Sequence, residues 1–365
     1  MRYKFGDLIE EVTERNSNLK YGLDDTIGVT IEKGLIPTVA NLSQTALDKF
    51  YIVRRNTFIY NPRTHGVRIG MGFNKTDKVY ITSWNNVAFK VKKTAESIVN
   101  PNYLWLYFCR SEWDRETNYY ALGSSTIVFL WSIFLDIEID LPEKSIQDSI
   151  VDKYRILQDR IELKKKINDN LAGQINCFYN TIIADVEKTV PLSTICEYST
   201  QKAMFSSIET GCYISTENML HDKQGISSYG STSDTEKVVV FYPGDILVSN
   251  IRPYFKKMWY ATTKGGCNTD VLCFHAKGEY DSLLLKSVIY QDAFFDYVMS
   301  GAKGTKMPRG DKHHIMQYPI PHLTSDKLMH FYNLAKNIEL MQSQNRIEIE
   351  SLSAASSLLL TTLSR

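Results

Sequence analysis

The chain has 365 residues, 43% of them hydrophobic and 23% charged, and 42 Lys+Arg against 41 Asp+Glu leave a formal charge of +1. That length exceeds one core and suits two domains plus connecting elements. Nearly cancelling charge excludes a general polyanion binder, so any nucleic-acid surface has to be local.

The start, Met1-Arg2-Tyr3-Lys4-Phe5-Gly6-Asp7, has no apolar signal core, and the apolar run Ile127 to Ile139 is broken by Ser132 and Asp136. A cytoplasmic protein without a membrane partner is therefore expected. A short amphipathic segment, Phe5 to Ile9, opens a β-rich stretch that holds the strand Thr57-Phe58-Ile59-Tyr60-Asn61-Pro62-Arg63. Asn102 to Tyr120 reads as one helix ending near Gly123, as helices often end at glycine. A strand, Ile137 to Leu141, runs into Pro142. Then Ile150, Tyr154, Leu157, Ile161, Lys164, Asn168, Leu171, Ile175, Phe178 and Ile182 recur at spacings of four and three, the seam of a coiled coil.

The same order then repeats. Val190 to Ile195 is the second opening segment, and the turn signal Pro243-Gly244 leads into Asp245-Ile246-Leu247-Val248-Ser249-Asn250-Ile251-Arg252-Pro253. Ser282 to Met299 reads as a helix closing near Gly301 and Gly304, and Tyr318-Pro319-Ile320-Pro321 follows. A second seam runs through Leu328, Phe331, Ala335, Ile338, Gln342, Asn345, Ile349, Leu352, Ser356, Leu359 and Leu363. Duplication followed by divergence accounts for this order. The six cysteines fall at no zinc spacing and read as small reduced core residues.

Each heptad run predicts a helix of roughly 55 Å. Alone it would expose its apolar stripe, so the two are expected to pair with each other. Antiparallel pairing sets Lys164 and Asn168 against Gln342 and Asn345, a polar layer that costs stability and fixes register. The expected fold class is α+β: two similar α/β domains separated by two long antiparallel coiled-coil helices, related by a pseudo-twofold axis. Two similar readers at a set separation suit double-stranded DNA, whose half-sites one helical turn apart share a face.

This order of elements resembles the specificity (S) subunit of type I restriction–modification enzymes over essentially the whole chain. The resemblance rests on the doubled plan, on Gly244 to Pro253, and on the passages leading into the helices. Those passages are Gly123-Ser124-Ser125-Thr126 through Leu141-Pro142 with Gln147, and Gly304-Thr305-Lys306-Met307 through Pro319-Ile320-Pro321. It implies target-recognition domains over 1–143 and 187–322, spacer helices over 144–186 and 323–365, and a bipartite asymmetric DNA site. It also implies docking to two methyltransferase subunits and to restriction/translocase subunits. No cofactor is expected on this chain; S-adenosylmethionine, ATP and Mg are expected on the partners. The first domain departs from the pattern, with Pro62-Arg63-Thr64-His65 where the second has Asn250-Ile251-Arg252-Pro253, so the two domains should read different sequences.

Direct readout needs Arg, Lys, Asn, Gln or small hydroxyl side chains on loops that enter the major groove. The first domain offers Asn61, Arg63, His65 and Arg68 on one loop, and Ser124, Ser125 and Thr126 on another. The second offers Ser249, Asn250, Arg252, Tyr254, Lys256 and Lys257, then Lys303, Thr305, Lys306, Arg309 and Lys312, with His313 beside them. Arg252 is the best single candidate.

Catalytic signatures are missing. Asn61-Pro62-Arg63 and Asn100-Pro101-Asn102 both fail the Asn/Asp-Pro-Pro-Tyr/Phe pattern of adenine methyltransferases. Gly301-Ala302-Lys303-Gly304-Thr305-Lys306 lacks the spacing of a phosphate loop, and His313-His314 has no matching metal ligands. A non-catalytic recognition scaffold is expected. The alternative is a two-headed protein-interaction adaptor without DNA specificity.

Overall fold

In each half, a short strand that begins the β-rich region pairs antiparallel with the strand that ends it. Arg2–Lys4 lies against Glu138–Asp140, with Tyr3 opposite Ile139, and Thr189–Pro191 lies against Pro319–Pro321, with Val190 opposite Ile320. The computed structural model describes residues 1–38, 42, 45–64, 68–121, 127–233, 235–278 and 282–363. They fall into two units, Met1–Lys164 with Glu348–Arg365, and Lys165–Ile347.

Each unit contains the same four-stranded antiparallel sheet. In the first its order is Ile9–Glu11, Val87–Val91, Thr57–Tyr60, Met71–Phe73, and in the second Cys196–Tyr198, Val271–Ala276, Ile246–Ser249, Met258–Tyr260. The chain threads both sheets in the same sequence, which is the expected duplication seen in hydrogen bonds. All four residues of Thr57–Tyr60 and of Ile246–Ser249 are buried, which explains why neither strand alternates apolar with polar. Gly244, at φ +96°, makes the turn before Ile246; its N–H donates to the Ala261 carbonyl while that of Asp245 donates to Tyr242. Outside this sheet the units differ. Among the described residues the first adds three separate antiparallel pairs, Ile27–Val29 with Leu35–Pro37, Tyr51–Val53 with Tyr80–Thr82 and Arg63–Thr64 with Ile127–Val128, the second a four-stranded sheet in which Tyr213–Ile214 runs parallel to Gly265–Cys267.

Each region read as one aromatic and aliphatic helix is two helices: Pro101–Phe108 with Ser111–Tyr120, and Ser282–Ile289 with Asp292–Ser300. Side chains cause both breaks. Arg110 folds back over the Tyr107 ring and donates to the Tyr107 carbonyl, which an unbroken helix would offer to Ser111. Gln291 likewise uses its side-chain amide on the Ser287 carbonyl.

The two long helices span Lys144–Ile183 and Ser325–Thr362. Every expected seam position is buried or half-buried. Within the first unit Gln158 donates to Ser356 at 3.1 Å and Lys164 pairs with Glu348 at 2.9 Å. Within the second, Gln342 and Asn345 donate to the main-chain and side-chain oxygens of Asn168 at 2.9 and 2.8 Å, and Phe178 stacks on Phe331. Partner numbers fall along one helix as they rise along the other, so the paired segments are antiparallel in both units. Lys164 departs from expectation: its ammonium reaches a carboxylate rather than joining the amide layer.

Gln147, fully buried, ties the first long helix to its domain. It donates to the carbonyls of Ile98 and Pro142 and accepts from the Asn100 N–H. Of the cysteines, Cys196, Cys267 and Cys273 are buried, whereas Cys177 is exposed on the first long helix and is no core residue.

Candidate nucleic-acid interface

In the first domain the residues after the central strand pair with those that follow the second candidate loop. Asn61 follows the central strand, and its side-chain oxygen accepts from the Arg63 N–H, holding the turn around Pro62. Arg63–Thr64 then pairs with Ile127–Val128, and the Phe129 N–H donates to the Pro62 carbonyl. Arg63 and Arg68 are exposed. His65, Ser124, Ser125 and Thr126 lie outside the described residues.

The second domain joins its loops at the equivalent place. Arg252 donates its N–H to the Pro308 carbonyl, and the Gly310 N–H donates to Asn250. Arg252 and Lys256 both take left-handed backbone conformations, φ +49° and +50°, at the two ends of the tight turn Pro253–Phe255. Such positions cost non-glycine residues of order 1 kcal/mol and concentrate at functional sites. Tyr254 projects from this turn, about half exposed. Ser249 and Asn250 are nearly buried, at 3% and 7% exposure; the Ser249 hydroxyl donates to the Ile251 carbonyl. Thr305, Lys306 and Lys312 are exposed, and Lys312 begins the short helix Lys312–Met316.

Much of the cationic charge expected here is already matched. Arg309 makes two hydrogen bonds to Asp270 at 3.1 and 3.2 Å, Lys303 pairs with Asp311 at 2.8 Å, and Lys256 pairs with Asp292 at 3.1 Å. The Lys257 ammonium donates to the Thr216 carbonyl, and burial holds its pKa below the ordinary lysine value against the pull of Glu217. Duplex phosphates would therefore exchange with carboxylates at three of these cations. His314 stacks face to face on Tyr297 at 4.2 Å rather than facing solvent.

An open pocket of about 460 Å³ lies beside Arg252, its lining including Ser215, Thr216, Glu217, Asn268 and Asp270. No protein partner among the described residues satisfies the buried Arg252 Nε, Asn268 Oδ1 or Asn250 Oδ1.

The structure superposes over 100% of its length on 95% of the crystal structure of the type I restriction–modification S subunit from M. genitalium, with a TM-score of 0.52 and 13% identity. The chain shares the S-subunit fold. Two further structures, each 13% identical, cover all of it. One comes from work on complex assembly and conformational transition of the type I R-M system (TM-score 0.48, 97% of that chain), the other is the HsdS subunit of Thermoanaerobacter tengcongensis (0.38, 96%). No protein-family model and no curated protein matches the sequence.

Within this fold the residues that sequence reasoning missed are the carboxylates Asp270, Asp292 and Asp311 and the pocket wall from Ser215 to Glu217. Asn268-Thr269-Asp270, a polar turn between two buried strands, was the available signal. Asp311 also caps the helix Lys312–Met316, accepting from the N–H groups of His313 and His314. Its hydrogen bond from Lys303, together with these caps, holds its pKa at about 2 against an ordinary 3.8. A folded-state pKa below the unfolded value stabilises above the unfolded pKa and is lost as pH falls through the folded one. Protection of the His313 and His314 amides, taken relative to their intrinsic exchange rates, is therefore expected to hold down to pH 3.8 and to fall towards about 2. Asp311→Asn should flatten that profile; an unchanged profile in the variant would mean another group controls it.

Proposed function

We propose that this chain is the sequence-specific DNA-recognition subunit of a type I restriction–modification complex, each domain reading one half of a bipartite asymmetric site. The observation that carries this reading is the repeated two-loop surface. In both domains the residues after the central sheet strand are joined by backbone hydrogen bonds to the loop preceding the last short helix. An arginine stands in each loop, Arg63 and Arg252, but its neighbours differ, Pro62 and Thr64 in one and Ile251 and Pro253 in the other, as two different half-sites require. The long helices set the spacer and dock two methyltransferase subunits, with restriction/translocase subunits joining that assembly. Methyl transfer and cleavage fall to those partners, which bring S-adenosylmethionine, ATP and Mg.

Duplexes selected by the full chain from a random pool are expected to share two sequence blocks at one separation. Binding should weaken steeply and linearly in log salt as phosphate contacts release counterions. Recovery of no common sequence, or salt-indifferent binding, would leave the adaptor reading in its place. Arg252→Ala and Arg252→Gly, the second suited to the left-handed backbone, are expected to weaken binding to the selected site by about 1–3 kcal/mol and relax one base position. Unchanged affinity and preference would remove Arg252 from the contact set.

A further inference from the structure

We propose that the pocket beside Arg252 in the second domain takes up a single nucleobase displaced from its pair in the bound half-site. This rests on the DNA-recognition reading and says how one position is read.

Charge comes first. Arg252 and Lys257 face Glu217 and Asp270 across the same cavity, and Asp270 is held besides by Arg309. A phosphate would gain little there and would meet two carboxylates. A neutral ligand with both donors and acceptors suits the lining. Two of the lining residues also carry a buried polar atom without a protein partner, Asn268 its Oδ1 acceptor and Arg252 its Nε donor. Unsatisfied buried polar groups are few in native proteins, and a ligand edge is one thing that completes them. The edge of a nucleobase carries both kinds of group.

Shape is the second argument. A cavity of about 460 Å³ holds a whole base with room for its sugar. In B-form DNA the base edges are recessed within the grooves, so a concave site cannot meet an edge left in place. The base has to come out of the stack. Rigid walls are needed for that, and they are present: Phe255 stacks on His221 at 4.2 Å with an interplanar angle of 9°, and Asp222 and Lys223 donate their N–H groups to Phe255 and Lys256.

The test uses the full chain and the duplex it selects, carrying one mismatch at a time through each half-site. A mismatch lowers the cost of unpairing, so at the extruded position it should tighten binding by roughly tenfold. 2-Aminopurine at that position should brighten on binding. Asn268→Ala removes an oxygen with no partner in the protein, and Glu217→Gln keeps its shape. Either should fold normally and abolish the mismatch preference, with smaller change at other positions. If every mismatch weakens binding or leaves it unchanged while the intact site is still selected, the pocket proposal is overturned and the DNA reading stands. Loss of all sequence selection overturns both. Free deoxynucleosides form a separate arm: saturable binding of one of them, lost in Asn268→Ala, without any mismatch effect in DNA, would identify a soluble ligand and also overturn the proposal.

Discussion

Lys33→Met is expected to destabilise the first unit by about 3–5 kcal/mol, read as a lower midpoint in urea with little change in slope. The Lys33 side chain is 8% exposed and that of Asp114 13%, and the ammonium sits 2.5 Å from the carboxylate. It also donates to the Ile69 carbonyl at 2.8 Å, while the Ile69 N–H reaches the same Asp114 oxygen. Removing the lysine strands a largely buried carboxylate, which costs far more than the intact pair contributes. The double variant Lys33→Met/Asp114→Leu should therefore recover most of the loss. Desolvation, opposed by Asp114, holds the Lys33 pKa below 10.5. Between that lowered value and 10.5 the unfolded chain binds a proton that the folded one has released, so this residue's contribution rises with pH across that window. A single variant as stable as the parent would show that the pair is solvated.

Seven residues inserted in each long helix, between Lys166 and Ile167 and between Ile347 and Glu348, should lengthen the preferred spacer between half-sites. The rise is ~10 Å, comparable to about three base pairs. Seven residues preserve the heptad phase, so the seam stays continuous on both sides of the insertion. Selection from a random pool, or mapping of methylated adenines in a host carrying the variant, reads the spacer directly. An unaltered spacer would show that something other than the helices sets it. Insertion into one helix alone puts the Asn168 layer out of step with Gln342 and Asn345 and should abolish selection instead.

The periodic parts of the molecule were readable from sequence because one dihedral pattern generates them. The seams needed only the spacing of apolar residues, and their polar interruptions at Asn168, Gln342 and Asn345 marked a true hydrogen-bonded layer. The doubled sheet was foreshadowed by the strands around Phe58 and Leu247, whose full burial makes them uniformly apolar. What periodicity could not show was where a side chain competes with the backbone. Arg110 and Gln291 divide helices whose composition looks continuous. Nor could it pair charges: Arg309 finds Asp270 and Lys256 finds Asp292 across separate loops, so part of the cationic charge expected on these loops is already matched. The pocket is harder still, since Glu217 and Asn268 become neighbours only after two sheets have formed.

The antiparallel pairs Arg2–Lys4 with Glu138–Asp140 and Thr189–Pro191 with Pro319–Pro321 give each β-rich half a single doorway. Every candidate contact residue falls in the chain between those two strands, and both long helices fall outside them. On the proposed DNA-recognition reading, a segment bounded by the doorway should exchange for another as a cassette, changing the target while the long helices stay as they are.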